Sequence, residues 1–348
     1  MNDFSIGVDL GGTNLRIAAV DISGHLIEKV TLGTKVSLGR DHVLNDMCTA
    51  IQHLSGKYKN SSRMLGIGIG VPGIIDMETG LLRESPNLPG WADYPVRAEI
   101  ERRLNTMVIL ENDANVAAFG EKWLGAAKEH DDMAMLTLGT GVGGGLVMGG
   151  EIWHGMNGMA GEFGHTTVEP EGHPCGCGNR GCLEQYASAT AVVRMAREAI
   201  AQNTGCALAK AAHSDAEFSA KSIFNLALQG DEDAKRIYRR VGRSLGIVLS
   251  TLVNSLNLPM YVVGGGVASA WEVFAPAIFE ELRQRCMVYA ATAPADPFGQ
   301  GGGASAHVEP GPGHKTIVTR ALLGSDAGLF GAARLPMVAE TQPAAIKA

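Results

Sequence analysis

The sequence has no run of about 18 apolar residues, and it therefore predicts no membrane-spanning helix. Residues 1–4 contain no basic stretch followed by an apolar one, so no signal peptide is expected. Positive charge is also scarce, because 29 lysines and arginines stand against 36 acidic residues, giving a net charge of −7. Such a chain has no general attraction for nucleic acid or for an anionic membrane. We expect a cytoplasmic protein that binds neither.

Of two common nucleotide-binding patterns, one is missing and the other lacks its usual context. The sequence contains no GxxxxGK[ST] loop. Residues 68–73 and 139–144 match GxGxxG, but neither match is followed by a clear helix and a distant acidic residue. A dinucleotide-binding fold is therefore not expected.

At 348 residues the chain is too long for one ordinary core, and two domains are expected. Apolar periodicity predicts an α/β protein. In the first part, strands are predicted over 4–10, 15–20, 25–32, 64–71 and 107–110, and helices over 42–56, 96–104 and 114–124. The opening pattern of strand, glycine turn and strand returns over residues 133–153, with strands over 133–138, 145–148 and 151–153. Such a repeat indicates two similar halves with a cleft between them.

The last part of the sequence is predicted to be mainly helical. Helices are expected over 189–201, 219–228, 233–256, 272–283 and 326–334, and strands over 261–263 and 317–322. Residues 291–315 are rich in Gly, Ala and Pro and are predicted to form a loop or a partly disordered insertion. The tail after Pro336 is expected to be frayed.

An Asn-Asp pair, Asn112 and Asp113, lies between the predicted strand 107–110 and the predicted helix 114–124. Ligands of α/β proteins bind at the carboxyl ends of strands. A carboxylate at this place can accept a proton from a hydroxyl group. The alternative is a helix N-cap, since Asn and Asp both accept hydrogen bonds from free backbone N–H groups.

A glycine turn follows the first strand, over residues 9–14. Its glycines would let backbone N–H groups point at a phosphate, and the Thr13 hydroxyl adds a donor. Asp9, at the end of the strand, could hold a hydrated Mg²⁺ ion. The alternative is a plain β-hairpin.

Three glycine-rich segments resemble the phosphate-1, phosphate-2 and adenosine motifs of the sugar kinase/actin/Hsp70 superfamily. They are residues 9–13 (DLGGT), 138–144 (LGTGVGG) and 263–267 (VGGGV). Within that superfamily the chain resembles the ROK family (repressors, uncharacterised frames, kinases), and most closely its bacterial glucokinases. The resemblance covers almost the whole chain, except that residues 291–315 are longer and richer in Gly and Pro than expected.

The resemblance implies an α/β, two-domain, actin-like ATPase (ribonuclease H-like) fold with an interdomain cleft. The small domain would comprise residues 1–113 and 325–348, and the large domain residues 114–324. The resemblance also implies contacts with ATP and Mg²⁺ at Asp9, Gly11, Gly12, Thr13, Asn14, Gly139, Thr140, Gly141, Gly264, Gly265 and Gly266. It further implies a homodimer or a homotetramer.

By the same resemblance, Asp113 is the general base and the sugar contacts are Gly73, Asn87, Asn112, Asp113, Glu162, His165 and Glu184. A sugar hydroxyl is a poor nucleophile near neutral pH, so a carboxylate that accepts its proton suits phosphoryl transfer. For Glu162 and Glu184 the alternative is ordinary surface charge. For Asn87 it is a Pro/Gly turn in which Trp91 packs inward.

Three of the six cysteines lie close together in the sequence, at 175, 177 and 182. With His165 they form the pattern H-x9-C-x-C-x4-C, which supplies a closed tetrahedral set for a structural Zn²⁺ ion. The pattern resembles the ROK zinc motif. The alternative is three buried thiols and a surface histidine; His173 is a rival ligand without a counterpart in the motif. Cys48, Cys206 and Cys286 are interpreted as packing residues.

The expected reaction is ATP-dependent phosphorylation of a hexose, with glucose converted to glucose 6-phosphate. N-acetylmannosamine, N-acetylglucosamine, mannose, fructose and allose stay open as substrates, because the acidic and histidine motifs are shared among such kinases. A sugar-sensing transcription regulator is the other possibility. We expect it less, because the first strand begins at Phe4, which leaves no room for a preceding DNA-binding module, and because the charge is acidic.

Overall fold

The computed structural model describes residues 2–58, 60–215, 217–295 and 315–341. The strands in these residues are β1 (Phe4–Leu10), β2 (Asn14–Asp21), β3 (Leu26–Gly33), β4 (Met64–Val71), β5 (Ile74–Asp76), β6 (Leu81–Glu84), β7 (Val108–Asn112), β8 (Met133–Leu138), β9 (Val142–Met148), β10 (Glu151–Ile152), β11 (Met260–Gly264) and β12 (Ile317–Arg320). The helices are α1 (Arg40–Tyr58), α2 (Val96–Leu104), α3 (Asp113–Leu124), α4 (Glu184–Ala187), α5 (Ala189–Gln202), α6 (Ala207–Ser214), α7 (Ala220–Leu228), α8 (Glu232–Leu256), α9 (Trp271–Arg285), α10 (Met287–Thr292) and α11 (Ala327–Thr341). The predicted α/β class is confirmed.

The chain divides into two compact units. The first contains Met1–Asp131, Gly145–Gly161 and Ser325–Ala348, and the second contains Asp132–Gly144 and Glu162–Gly324. This division differs from the expected domains 1–113 plus 325–348 and 114–324, because α3 and residues 145–161 belong to the first unit. The reason is the close packing of α3 on α11, where a Cβ atom on Gly331 would overlap the carbonyl oxygen of Val116.

The first unit is built on a five-stranded sheet with the order β3-β2-β1-β4-β7. β1 is antiparallel to β2 and parallel to β4, which is in turn parallel to β7. One face of the sheet packs on α1 and α2 through apolar residues such as Phe4, Ile6 and Leu44, all fully buried. The other face carries Gly7 and Gly68, which let the backbone of α11 approach the sheet. The two helical layers thus fix the carboxyl ends of β1, β4 and β7.

The prediction of a frayed tail after Pro336 is wrong for the described residues. α11 continues through Pro336 to Thr341. Pro336 packs against Gly66 of β4, where a Cβ atom on the glycine would lie 3.0 Å from the proline Cβ. Packing on the sheet therefore outweighs the backbone hydrogen bond that proline removes. The predicted loop over residues 291–315 is partly occupied by the end of α10, and its residues 296–314 lie outside the described part of the chain.

The second unit contains the strands β8, β11 and β12, which are neighbours in the order β8-β11-β12. β11 is parallel to both β8 and β12. The long helix α8 packs on α9 through Gly242, which faces the backbone of Phe274. β9 begins at Val142 rather than at Gly145, since the glycines of this segment still pair as extended strand.

None of the helices in the described ranges has both the length and the apolar character needed to cross a membrane.

Candidate active site

The Asn-Asp pair lies where β7 ends and α3 begins. The side-chain oxygen of Asn112 accepts hydrogen bonds from the backbone N–H groups of Ala114, at 2.9 Å, and Asn115, at 3.3 Å. Asp113 is the first residue of α3, and its carboxylate accepts from the N–H of Ala114 at 2.9 Å. Negative charge is favourable at a helix N-terminus. The N-cap interpretation is therefore correct for Asn112, and the same turn presents Asp113 beside it.

Gly73 connects Asn112 to the loop that contains Asn87. The side-chain amide of Asn112 donates to the carbonyl oxygen of Gly73 at 3.2 Å. Gly73 has a φ of 124°, and a Cβ atom there would overlap the carbonyl oxygen of Glu84, so only glycine fits. The loop that follows has a buried Trp91 and an exposed Asn87. The inward packing of the tryptophan thus anchors a turn that presents Asn87 at the surface.

The first glycine turn lies against the same loop. A Cβ atom on Gly12 would be 3.2 Å from the carbonyl oxygen of Asn87. The N–H of Gly11 donates to the carbonyl of Asn14 at 2.9 Å, and the hydroxyl of Thr34 donates to the carbonyl of Gly11 at 2.6 Å. The segment is therefore a hairpin turn, and it brings the first glycine motif next to a predicted sugar contact.

Asp9 precedes this turn and forms an ion pair with Arg16 of β2, with 2.9 Å between the carboxylate and the guanidinium. Burial raises the pKa of Asp9 above its ordinary value, and the negative charge of Asp326 adds to that rise, while Arg16 opposes it. A further positive charge at this carboxylate, such as a hydrated magnesium ion, would favour its ionised form. The chemistry of Asp9 thus fits the predicted role in Mg²⁺ binding.

Sequence reasoning missed two residues next to the Asn-Asp pair, Glu111 and His154. The carboxylate of Glu111 accepts from the backbone N–H of Asn112, at 2.8 Å, and from the side-chain amide of Asn115, at 2.9 Å. It also lies 2.6 Å from Nε2 of His154, and this hydrogen bond raises the pKa of the imidazole above its ordinary value. A glutamate ending an apolar strand was the one available signal, since His154 lies 43 residues farther along the chain.

In the second unit, residues 139–141 form the turn between β8 and β9. The N–H of Gly139 donates to the carbonyl of Gly141 at 2.9 Å. The beginning of α5 is bonded to this turn, because the N–H of Ala189 donates to the carbonyl of Gly139 and the hydroxyl of Thr190 donates to the carbonyl of Thr140, both at 2.8 Å. The predicted phosphate-2 motif therefore has a fixed shape.

The third glycine motif lies beside that turn. β11 ends at Gly264, and a 3₁₀ turn begins at Gly266. Between them, Gly265 faces the backbone of Leu138, the residue before Gly139, where a Cβ atom would be 2.5 Å away. The structure thus brings the predicted phosphate-2 and adenosine motifs together within one unit.

A cavity of ≈ 680 Å³ lies next to Thr140, between α5 and the beginning of α7. Its volume falls within the range of small-molecule sites, about 300–1,000 Å³. Its lining contains an aromatic ring, a second arginine beside an ion pair between Arg194 and Glu198, and three hydroxyl groups. These other side chains are Phe218, Arg197, Thr140, Thr190 and Ser219. Such a lining can accept a flat ring, and Arg197 adds a positive charge beside it.

Glu184, the first residue of α4, also touches the phosphate-2 turn. Its carboxylate accepts from the backbone N–H of Val142 at 3.0 Å. A Cβ atom on Gly141 would overlap the same carboxylate, so the glycine leaves the space that the glutamate occupies. The surface-charge alternative is therefore wrong for Glu184, which is half-buried and hydrogen-bonded, whereas Glu162 is exposed.

The predicted metal ligands, His165, Cys175, Cys177 and Cys182, meet in the second unit, and their ligand atoms all lie within 4.8 Å of one another. The Sγ atoms of Cys177 and Cys182 are 3.7 Å apart, and Nδ1 of His165 is 3.7 Å from Sγ of Cys175. Zinc–sulfur bonds of about 2.3 Å in a tetrahedron separate two sulfurs by about 3.8 Å, so the four residues fit one zinc ion.

Two alternatives for this cluster are not supported. Cys177 is exposed, so the cysteines are not three buried thiols. His173, the rival ligand, is not among the clustered residues, and its Nδ1 is hydrogen-bonded to the carbonyl of Pro174 at 2.9 Å. The second nitrogen of His165, Nε2, lies 3.9 Å from the carboxylate of Glu162. One imidazole thus faces both the cysteines and a predicted sugar contact.

Comparison with known proteins gives one family. The sequence model of the ROK family matches residues 5–337. A glucokinase of Halalkalibacterium halodurans is 38% identical over 94% of this chain and 92% of its own length. A glucokinase of Thermotoga maritima is 40% identical over 82% of this chain and 87% of its own length.

Solved structures and regulators also match. A ROK family glucokinase from Streptomyces griseus, in complex with glucose and AMPPNP, is 32% identical and superposes with a TM-score of 0.74, covering 95% of this chain and 98% of its own. A xylose repressor of Caldicellulosiruptor bescii is 31% identical over 81% of this chain and 71% of its own length. Kinases and regulators therefore share this fold.

Proposed function

The chain belongs to the ROK family, and we propose that it is an ATP-dependent sugar kinase that converts glucose to glucose 6-phosphate. The observation that carries this proposal is the similarity to bacterial glucokinases along almost the whole chain. The arrangement of the glycine turns and of the Asn-Asp pair supports it, because phosphoryl transfer needs phosphate-binding loops and a positioned base.

Asp113 is the proposed general base. As the hydroxyl oxygen of the sugar bonds to the γ-phosphorus of ATP, the hydroxyl proton passes to the carboxylate of Asp113, and ADP leaves with the electron pair of the broken bond. Asn112 supports this role, because its side chain fixes the first turn of α3 through two backbone N–H groups. A base of this kind contributes about 10²–10⁴-fold to the rate.

The other sugar contacts are proposed by resemblance and supported by their surroundings within each unit. In the first unit, Asn112 is bonded to Gly73, and Asn87 lies next to Gly12. In the second unit, Glu184 is bonded to the phosphate-2 turn, and His165 lies near Glu162. Carboxylates, amides and imidazoles suit a polyol, because each can accept or donate a hydrogen bond.

The three glycine motifs are proposed to bind ATP through backbone N–H groups and the hydroxyls of Thr13 and Thr140. Asp9 would hold the magnesium ion that accompanies ATP. Bound Mg²⁺ neutralises charge on the phosphate oxygens. We place the nucleoside in the cavity beside Thr140, since that cavity adjoins the phosphate-2 turn and contains the ring of Phe218.

The cluster of His165 and three cysteines is proposed to hold a structural zinc ion. All four ligands come from the protein, so no position remains for a substrate or a reactive water. The ion would tie together residues 165–182, which lie between Glu162 and Glu184. Zinc binding would therefore stabilise the segment that joins two proposed sugar contacts.

The test is the release of ADP from ATP and Mg²⁺ with a panel of sugars at matched concentrations. Glucose should give a kcat/KM at least about tenfold above N-acetylmannosamine, N-acetylglucosamine, mannose, fructose and allose. A preference for another of these sugars would change the substrate and leave the reaction in place. Absence of turnover with all of them would contradict the kinase proposal and favour a regulator, since one relative is named a xylose repressor. Light scattering on the same sample tests the proposed homodimer or homotetramer.

A further inference from the structure

We propose that His154 is a positioning residue for the Asn112–Asp113 pair and that it acts through the buried carboxylate of Glu111. The inference rests on the proposed function, in which Asp113 is the base. Glu111 is the residue before the pair, and His154 comes from a different part of the first unit, two residues after the end of β10.

The carboxylate of Glu111 is the centre of a small hydrogen-bond network. Glu111 is only 2% exposed, so protein groups rather than bulk water must supply the hydrogen bonds of its carboxylate. Oε1 accepts from the backbone N–H of Asn112 and from the side-chain amide of Asn115. Oε2 is 2.6 Å from Nε2 of His154, and among the described residues His154 is its ion-pair partner.

The two carboxylate oxygens of Glu111 bind different partners, and this explains how His154 acts at a distance. A carboxylate is planar, so fixing Oε2 also fixes the direction of Oε1. Oε1 binds residues on both sides of Asp113, namely Asn112 and Asn115. The imidazole of His154 therefore holds the turn that presents the base. It does so through its contact with Glu111 and not through a contact with the proposed sugar-binding residues.

The position of His154 is itself well fixed. β10 pairs with β9, and the N–H of Trp153 donates to the carbonyl of Leu146 at 2.9 Å. The carbonyl of His154 accepts from the N–H of Ala160 at 3.1 Å. These bonds hold the backbone on both sides of the imidazole. A rigid support is what a positioning residue needs, since a displacement of about 1 Å at a reacting group can cost about 100-fold in rate.

The experiment compares His154→Leu with His154→Gln in the full chain. Leucine removes the donor, whereas glutamine can donate to Oε2 of Glu111 from a similar position. We expect His154→Leu to lower kcat by about tenfold or more and to leave the KM for ATP within about twofold. His154→Gln should restore kcat to within about threefold of the wild type, because it keeps the hydrogen bond.

A second measurement does not depend on turnover. Hydrogen exchange of the peptide covering residues 111–118 should be faster in His154→Leu than in the wild type and in His154→Gln. The N–H of Asn112 would lose its fixed acceptor on Glu111, and Asn112 in turn caps the N–H groups of Ala114 and Asn115. A peptide covering 133–138 in the second unit serves as the control and should exchange at the same rate in all three. If the wild type phosphorylates no sugar, the proposed function fails, and the exchange result still decides whether His154 fixes this turn.

Two results would overturn the inference. One is a His154→Leu protein with wild-type kcat and wild-type exchange in residues 111–118. The other is an equal loss of kcat in both variants together with faster exchange in both peptides, which would mean that His154 acts on overall stability alone. Slow exchange in His154→Gln together with recovered kcat supports the positioning role.

Discussion

The carboxylate of Glu184 accepts a hydrogen bond from the backbone N–H of Val142 at 3.0 Å. A proposed sugar contact is thus bonded directly to the turn that is proposed to bind the phosphates of ATP. Gly141 makes this possible, because any Cβ atom at residue 141 would overlap the carboxylate. The occupancy of the sugar site and the shape of the phosphate turn are therefore expected to depend on each other.

The substitution Gly141→Ala tests this contact. The alanine Cβ should push the carboxylate of Glu184 away from Val142 and raise the KM for glucose by about tenfold, the cost of one displaced charged hydrogen bond. Gly205→Ala is the control in the same unit, since a Cβ atom there would lie 3.6 Å from Oδ1 of Asn203, an ordinary contact, and Gly205 is outside the proposed site. Steady-state kinetics with glucose varied at saturating ATP gives the comparison. An unchanged KM in Gly141→Ala would contradict the expected dependence.

Replacement of the proposed base should separate binding from turnover. Asp113→Asn keeps the size of the side chain and should bind glucose, but kcat should fall by about 10²–10⁴-fold because the amide cannot accept the hydroxyl proton. Asp41→Asn removes a carboxylate from the first turn of α1 and controls for the loss of a favourable charge at a helix N-terminus. Calorimetric titration with glucose and the coupled ADP assay measure the two quantities. Full turnover in Asp113→Asn would refute the base assignment.

The zinc proposal predicts a linked loss of metal and stability. The wild type should contain about one zinc ion per chain, and Cys177→Ala should lower both the zinc content and the melting temperature. Cys206→Ala is the control, because Cys206 lies at the beginning of α6 and outside the cluster. Elemental analysis by mass spectrometry and thermal unfolding are the measurements. A Cys177→Ala protein that keeps its zinc and its melting temperature would exclude the site.

The ion pair between His154 and Glu111 predicts a pH dependence of stability. The hydrogen bond that His154 donates to Glu111 raises the folded-state pKa of His154, so the folded state binds the imidazole proton more tightly than the unfolded state. The protonated imidazole therefore adds to the free energy of unfolding. This contribution is fully present below the unfolded pKa of about 6.5 and is lost as the pH rises through the higher folded-state pKa. Urea unfolding at several pH values should therefore show that, as the pH rises, the free energy of unfolding falls more in the wild type than in His154→Gln. Parallel pH curves would contradict this.

The packing of α11 on the sheet predicts opposite effects at two glycines. A Cβ atom on Gly68 of β4 would overlap the carbonyl oxygen of Ala332, so Gly68→Ala should lower the free energy of unfolding by about 1–3 kcal/mol or more. Gly56 lies in α1 with no atom within 4 Å of its Cβ position, and Gly56→Ala should raise stability by about 0.5–1 kcal/mol. Chemical denaturation measures the free energy of unfolding of both variants. Equal effects of the two substitutions would show that the close approach of α11 to β4 does not contribute to stability.

Elements with strong, local patterns were predictable from the sequence. Met64–Val71, Val96–Leu104 and Met133–Leu138 have the predicted bounds, because continuous apolar runs or helical spacing end at clear polar or glycine positions. The short helices Ala207–Ser214 and Met287–Thr292 were not predicted. Each has a single buried side chain in its described length, Leu208 or Tyr289, which is too few to create a periodic signal.

The features of the candidate site likewise divide into those that local sequence patterns predict and those that they do not. The glycine turns and the cysteine cluster are contiguous in the sequence, so their residue types and spacing could be recognised before the fold was known. The contact between Glu111 and His154 could not, because it joins residues that no local pattern relates. The same holds for α11, which continues past Pro336 only because the glycines of β4 leave room for it.

The place of α11 in the chain has a consequence for biosynthesis. This helix covers one face of β1 and β4, yet it is the last described helix to leave the ribosome, whereas β1 is the first described strand. Until α11 emerges, the small residues of that face remain uncovered, and the turn that carries Asp113 lacks the helix against which α3 packs. The second unit, whose residues are contiguous apart from one short segment, can form earlier during translation. A nascent chain should therefore acquire the cysteine cluster before it acquires a complete base-bearing unit.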